Sequence, residues 1–516
     1  MPLGPYTQLR RFTIDLIQSS KPEGDLARSG VWLFLAAMNG AIAMALELAA
    51  PRLYAPYFGN SIYVWGATIS VTLASLAFGS AIGGWIADRT RSDVPIFLAT
   101  LFSASYQFIF IFSAHFFVKH LPRLGEIAGT SAATLLIFSL PMAALASTTP
   151  MIIRLCSRPN NVGSIAGTVY SISTFGGIGG IFATIAWLIP HVGTQTTLKV
   201  LCGISFLIAA WGLAAHRRRL AFTVVPAVIL FFIPNWTLFN GAVWTSESAY
   251  NLITVAKRRG QTLLLLNSAN WIHTMWSASN PWNGFYQNYF ALGPLLLPNA
   301  SRLLILGLGG GASVHATRAT NPSIDIDAIE IDPKVAEAAV TWFGLGRSDP
   351  KLAIHVADAR PWLTTNSSTY DLVYVDVYSG GPQIPFHVIT EEFFRTVRDH
   401  MSDDGALMIN VLERHPDLPL IAPTAATLRQ VFASVLVLPL PPDNYMLFAF
   451  AKKQPANEMR KRLRAAHVEG PIQKVVQVAE AGLRDFEPPP GTLVFTDDFA
   501  PIEEVTRRAL QRPRAR

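Results

Sequence analysis

Leu303-Leu-Ile-Leu-Gly-Leu-Gly-Gly-Gly-Ala312, with Ala328-Ile-Glu-Ile-Asp-Pro333 some twenty residues on, is the stretch on which the reading of this chain turns. Its first four residues form an apolar run of the length expected for a strand buried on both faces. The glycines make a turn, a helix fits between, and a second apolar run closes on an acid. A glycine turn lets main chain approach a ligand where any Cβ would collide. A carboxylate at the tip of the following strand can accept both hydroxyls of a ribose. The pattern predicts a nucleotide-cofactor site. It is not a Walker loop, because no Gly-Lys-Ser/Thr follows the turn.

Outward from this stretch, residues 302–453 alternate strand and helix patterns, as a doubly wound parallel sheet requires. Strands are predicted near 302–307, 324–330, 352–356, 371–377, 405–412, 434–439 and 445–451, after a β-rich lead-in. Ligands of such sheets sit beyond the carboxyl ends of the strands, where strand order reverses, so the acids that matter are Glu330, Asp358 and Asp376. Singly, Glu330 reads equally as a solvated strand-end acid and Asp358 as the N-cap of a helix beginning at Arg360-Pro-Trp-Leu363. Together, behind Gly307, Gly309, Gly310 and Gly311, they point to one site.

The other half of the chain is of a different kind. Hydrophobic residues make up 51% of the 516 and charged residues only 15%, too few charges for a soluble protein of this length, and the apolar excess lies before residue 240. Seven stretches are long and apolar enough to cross a hydrocarbon core, which needs about 20 residues as helix: 30–50, 63–87, 94–118, 128–153, 163–190, 197–215 and 220–239. Pro226 and Pro234 weaken the last, which reads equally as a re-entrant or interfacial segment. Arg89 and Arg91, Arg154 and Arg158, and Arg217 to Arg219 fall in alternate loops, on the side of an N-terminal tail holding Arg10, Arg11, Lys21 and Arg28. Those loops are expected to be cytoplasmic. The tail lacks the short apolar core and small-residue cleavage site of a signal peptide, so it is read as retained. Seven crossings would put the second half outside, away from a cofactor made in the cytosol, so a cytoplasmic placement requires that 220–239 not fully cross or that another span exist. Gly176-Gly-Ile-Gly-Gly180 reads as close helix packing.

The net charge of +7 is spread over these short loops and includes no basic stripe interleaved with aromatics, so nucleic acid is not an expected partner; the lipid bilayer is. Cys156 and Cys202 form no disulfide framework, and no His/Cys/acid cluster has metal-ligand spacing, so no metal is expected.

Several motifs in order give residues 247–451 a resemblance to spermidine synthases, the polyamine aminopropyltransferases. They are Glu247-Ser-Ala-Tyr250, the glycine turn, Glu330-Ile-Asp332, Asp358-Ala359, Tyr370-Asp-Leu-Val-Tyr-Val-Asp376 and Thr390-Glu-Glu-Phe-Phe394. Thr496-Asp-Asp-Phe-Ala-Pro501 resembles the bacterial subfamily that fuses such a domain to a transporter-like membrane region. Gly83-Gly-Trp-Ile-Ala-Asp-Arg-Thr-Arg91 resembles a loop of major-facilitator transporters. The resemblance implies a Rossmann-like domain of the methyltransferase type that uses S-adenosylmethionine or its decarboxylated form as co-substrate. Gly307, Gly309, Gly310, Gly311, Glu330, Asp332, Asp358 and Ala359 would hold that donor. Asp376 would help deprotonate the attacking amine, and Tyr286, Gln287, Tyr378 and Ser379 would contact a polyamine-like acceptor. It also leaves room for a homodimer. The chain departs from the family at several points. Ser379 stands where a second acid is usual, Gly310 where the turn usually has an Asp, and Gln287-Asn288 where a His-Glu pair follows the tyrosine; the lead-in Gln is not evident in Asn267-Ser-Ala-Asn-Trp271. A methyltransferase and a polyamine transporter with a degenerate nucleotide-binding domain are the alternatives.

The organisation expected is a tail over 1–29, a helical membrane domain over 30–240 with six or seven spans, a β lead-in over 241–300, the Rossmann-like domain over 301–455 and an extension over 456–516. In that extension Asp497 and Asp498 read either as closing over the site or as capping a short helix.

Overall fold

Arg302–Leu306, here β5, explains why the second half folds as it does. Leu303 and Ile305 enter one apolar cluster, and Leu304 and Leu306 enter another. All four are fully buried, so the strand has no solvent face and helices must cover both sides of its sheet. The computed structural model describes residues 26–235, 239, 241–268, 271–280, 282–346 and 349–511. The basic tail through residue 25, residues 236–238 of the seventh apolar stretch, and Ala269 and Asn270 of the lead-in lie outside the described residues. The chain divides into two units, 1–237 and 238–516.

The second unit opens with an antiparallel four-stranded sheet in the order β1 (Ala242–Glu247), β2 (Leu252–Arg258), β3 (Gln261–Leu266) and β4 (Ile272–Trp276). An eight-stranded sheet follows. It comprises β5, β6 (Asp325–Glu330), β7 (Leu352–Val356), β8 (Tyr370–Val375), β9 (Met401–Leu412), β10 (Ser434–Leu440), β11 (Asn444–Phe450) and β12 (Arg484–Asp485). Its order is β12-β10-β11-β9-β8-β5-β6-β7. From β7 to β9 the neighbours are parallel. The chain runs outward from β5 through β6 to β7, then returns to the other flank of β5 as β8, so strand order reverses between β5 and β8. This is the Rossmann-like architecture expected, with one difference. The sheet is mixed, because a turn of only three residues joins β10 to β11, too short for a crossover, and the hairpin is therefore antiparallel. The two-residue edge strand β12 had no apolar alternation by which to be seen.

In the first unit the helices are α1 (Leu26–Phe58), α2 (Ile62–Ala87), α3 (Val94–Val118), α4 (Glu126–Cys156), α5 (Val162–Val192) and α6 (Thr194–His216). Five of them, α1, α2, α4, α5 and α6, are long and apolar enough to cross a membrane; α3 contributes a shorter described apolar stretch, Val94–Phe110. The seventh apolar stretch does not form a long helix. Arg218–Val224 is a 3-10 turn, Pro226 sits in the first turn of a helix spanning only Val225–Phe232, and Pro234 follows its end. Eight residues rise about 12 Å as a helix, far less than the roughly 30 Å of a hydrocarbon core.

Small residues let these helices touch main chain to main chain. A Cβ at Gly176 would overlap the Ala37 carbonyl of α1, and one at Gly180 that of Ala41. Gly79 and Gly83 of α2 lie in the same way on Ala143 and Ser147 of α4. The Gly176–Gly180 run is thus helix packing, as its sequence suggests. Gly179, one residue away, has open space around it. Gly180→Leu is therefore expected to lower the thermal midpoint of the detergent-solubilised protein by the equivalent of about 3 kcal/mol or more. Gly179→Leu should leave it within experimental error, and equal effects at the two positions would contradict this packing.

Candidate functional site

At the strand-order reversal the main chains of β5 and β8 meet. Gly307, with φ +89, donates its N–H to the Ile329 carbonyl, and Asp376 donates its own to the Leu306 carbonyl. A Cβ on Gly307 would strike the Asp376 carbonyl oxygen, so both the backbone angle and the approach require glycine. The turn then passes through Gly309 and Gly310 to Gly311, whose left-handed conformation starts the helix Ala312–Arg318. Gly310 donates to Thr274 Oγ1 of β4 at 2.9 Å, and a Cβ there would press on the Thr274 methyl, so the four-stranded sheet itself holds the turn.

Glu330 ends β6 with one carboxylate oxygen accepting the Gly309 N–H at 3.0 Å and the other the Asp332 N–H at 3.1 Å. Burial pushes its carboxyl up to about 7 despite the N–H donors of Asp332 and Gly309, which favour the anion. Asp332 is fully buried and its oxygens are committed. Oδ1 caps the helix Pro333–Trp342 through the Lys334 N–H at 3.0 Å. Oδ2 accepts from Ser248 Oγ at 2.6 Å and Asn251 Nδ2 at 2.9 Å. Asp332 thus fastens the lead-in beside the turn, and Ser248 is the member of Glu247-Ser-Ala-Tyr250 that makes the tie. Asp358 caps the helix Ala359–Thr365 by accepting the Arg360 N–H at 3.1 Å, and Ala359 is buried behind it.

Asp376 follows β8 directly. Tyr286 Oη donates to its Oδ2 at 3.0 Å and Asn410 Nδ2 to its Oδ1 at 3.2 Å. Burial pushes the carboxyl up to about 7, opposed by the hydrogen bonds from Asn410, Tyr286 and Gln287. Asn410 is itself held: its Oδ1 accepts from Asn444 Nδ2 at 2.9 Å, and its carbonyl accepts from Tyr378 Oη at 3.0 Å. Gln287 is buried, with Nε2 donating to the His273 carbonyl at 2.9 Å. Its Oε1 is buried without a hydrogen-bond partner among the described residues.

Asp376, Tyr286, Gln287 and Tyr378 are therefore brought together. Ser379 is not: it is exposed, and its hydroxyl donates within its own loop to the Gln383 carbonyl. Asp497 caps no helix; its carboxylate pairs with Arg360 and accepts from Thr390. Asn410, Thr274 and Asn251 lie outside every motif that the sequence offers. Only Asn410 carried a signal, as an amide inside the apolar run Met408-Ile-Asn-Val411 near the carboxyl end of its strand.

Beyond Asn410 a cavity of about 540 Å³ is lined by Glu413, Arg414, His415, Asp443 and Tyr445 among others. Its charges are internally matched: Glu413 accepts the His415 and Leu420 N–H groups, and Arg414 Nε donates to Asp443 at 2.8 Å. Among the described residues no group of three or more His, Cys, Asp or Glu is placed to hold a metal ion.

Residues 285–461 match the family described as spermine/spermidine synthase domain. The C-terminal part of this chain carries a spermine/spermidine synthase domain. The matched segment runs from Phe285, beside Tyr286, past Asn444 of the site. The chain is 26% identical over 321 residues to a protein of Bifidobacterium longum named probable polyamine aminopropyl transferase, covering 58% of this chain and 71% of that one. It is 31% identical over 154 residues to the human eEF1A lysine and N-terminal methyltransferase, covering 28% of this chain and 22% of that protein. A crystal structure of a probable spermidine synthase from Corynebacterium glutamicum aligns with a TM-score of 0.40 at 20% identity, over 51% of this chain and 99% of that one.

The raised carboxyls have a consequence for stability. Asp376 keeps its proton in the folded protein up to about pH 7, whereas in the unfolded chain it ionises near 3.8. Between those values the folded state binds more protons, so the stabilisation present below about pH 4 is lost as pH rises through 7. Asp376→Asn, which cannot ionise, should unfold at a higher temperature than wild type at pH 8, by the equivalent of a few kcal/mol. The gap should narrow as pH falls and close only below about pH 4, and a pH-independent difference would show that Asp376 does not titrate as described.

Proposed function

We propose that this protein is a membrane-tethered aminopropyltransferase that takes decarboxylated S-adenosylmethionine, or S-adenosylmethionine itself, as donor and alkylates a small amine. One observation carries the reading: a half-buried Asp376, its carboxyl pushed up to about 7, lies beside a glycine turn and a buried acid, Glu330, within the segment that matches the synthase family. The residues fit such a donor. The turn offers main chain free of side chains, Glu330 offers carboxylate oxygens to ribose hydroxyls, and the helix capped by Asp358 borders the same sheet edge. Asp332 acts behind them, through Ser248 and Asn251.

A sulfonium donor brings its own leaving group, so the protein's task is alignment and proton removal. Asp376, with its carboxyl near 7, can in its ionised form take the proton of a bound ammonium, which frees the nitrogen lone pair that attacks, and can stabilise the positive charge that develops on that nitrogen. Asn410 and Tyr286 fix the carboxylate's direction, and Gln287 Oε1, an acceptor without a protein donor among the described residues, suits an amine N–H. No metal is invoked. The acceptor is proposed only as an amine, because Ser379 and Gln287-Asn288 supply no further carboxylate there.

Six crossings by α1 to α6, with the proline-limited stretch after them lying at the interface, would return the chain to the side of its N-terminus. The synthase domain would then be cytoplasmic, next to a cytosolic donor, with the bilayer and the amine as its partners. The match to a lysine methyltransferase supports the second reading, methyl transfer from the carboxylated donor on the same sheet.

Isothermal titration of the solubilised full chain should show binding of one or both donors; binding of neither removes both readings. Product masses then separate aminopropyl from methyl addition. Asp376→Asn should lower kcat by about 10²–10⁴-fold with little change in donor affinity. Wild-type activity should rise with pH through about 7 as Asp376 ionises. For topology, a reporter fused after residue 511 should be active in its cytoplasmic form, and an external reporter would overturn the placement.

A further inference from the structure

We infer that the C-terminal extension is a built-in clasp of the donor side of the site, with Asp497 as a positioning residue that acts through Arg360. The inference rests on the functional reading above. Arg360 stands two residues after Asp358, and its own N–H is the group that Asp358 Oδ1 caps. Its guanidinium faces Asp497 as a fork: Nη1 donates to Oδ1 at 2.8 Å and Nη2 to Oδ2. Nη1 also donates to the His387 carbonyl at 3.1 Å, in the segment that leads away from Asp376. One side chain therefore joins the helix behind Asp358 and Ala359, the segment after Asp376, and the extension. A bidentate guanidinium–carboxylate pair fixes orientation as well as distance, which a lysine in this place could not do.

Asp497 is held from its own side as well. Thr390 Oγ1, at the N-cap of the helix Glu391–Asp399, donates to Asp497 Oδ1 at 2.7 Å. The Asp497 N–H donates to Glu392 Oε2 at 3.0 Å. The flanking chain is anchored in the core. Phe495 is fully buried, its carbonyl accepts the Glu391 N–H and its N–H donates to Thr427 Oγ1, both at 2.9 Å. Past Pro501 the helix Ile502–Ala509 buries Ile502, Val505 and Ala509, and the Ala509 carbonyl accepts the Arg414 N–H at 2.9 Å. The extension thus runs from the helix carrying Asp358 to the end of β9. Arg360 holds the Asp497 carboxyl below the usual range, as expected of a working ion pair. Asp497 and the adjacent Asp498 are both exposed, and Asp498, which forms no ion pair among the described residues, serves as the internal control.

The experiment is a double-mutant cycle on the solubilised full chain, read as donor KM, acceptor KM, kcat and thermal midpoint. Asp497→Asn and Arg360→Ala should each raise the donor KM about tenfold, the scale on which small displacements of binding groups act. Acceptor KM and thermal midpoint should change little. The double variant should be no worse than Arg360→Ala alone, because both substitutions break one linkage. Asp498→Asn should match wild type. Should Asp497→Asn fail to accumulate as folded protein, Arg360→Lys, which keeps the charge and loses the fork, is read in the same way. Donor KM unchanged in both single variants, multiplicative effects in the double, or losses spread evenly over donor, acceptor and stability would each overturn the clasp. A wild type that binds and transfers while the variants behave identically removes the clasp alone. A wild type that binds neither donor removes the functional reading beneath it.

Discussion

The contact between the ends of β5 and β8 is the constraint on which the rest of the synthase domain depends. Because the chain runs outward from β5 and returns on its other flank, two parallel strands distant in sequence end side by side. Gly307 lies on the Asp376 main chain there, and the hydrogen bonds from Asp376 to Leu306 and from Gly307 to Ile329 keep three strand ends level. A side chain at Gly307 would spread β5 from β8. The glycine turn and the acid would then no longer share one edge.

The polar groups at that edge are set against their environment. Glu330 and Asp376 are carboxyls in surroundings that disfavour charge, each steadied by a few donors rather than by a cation. Such an arrangement weakens the fold near neutral pH and is characteristic of sites where a proton must be held or released. Asp332 shows the contrasting case of a buried acid whose oxygens are met by Ser248, Asn251 and a helix N-terminus, and which therefore serves as a fastening.

The site is also braced from outside its own sheet. The lead-in reaches the turn through Thr274 and reaches Asp332 through Ser248 and Asn251, and the extension reaches the helix behind Asp358 through Asp497. Both braces use single polar side chains on segments that contribute nothing to the parallel strands, so the eight-stranded sheet alone does not define the edge.

By itself the sequence determined the elements whose patterns are local. The two-sided apolar run of β5, the glycine turn, the strand-end acids and the small-residue spacing of Gly176 and Gly180 were legible because each follows from periodicity or from what a Cβ would meet. So was the break that Pro226 and Pro234 put in the seventh apolar stretch; the mixed edge of the sheet and the partners of the acids were not. They depend on which residues arrive from far along the chain: Asn410 reaches Asp376 from 34 positions away, Asn251 reaches Asp332 from 81 and Asp497 reaches Arg360 from 137. A lone polar residue carries no periodic signal, so only the tertiary structure could decide that Asp332 is a fastening, that Ser379 turns away, and that Asp497 grips an arginine instead of capping a helix.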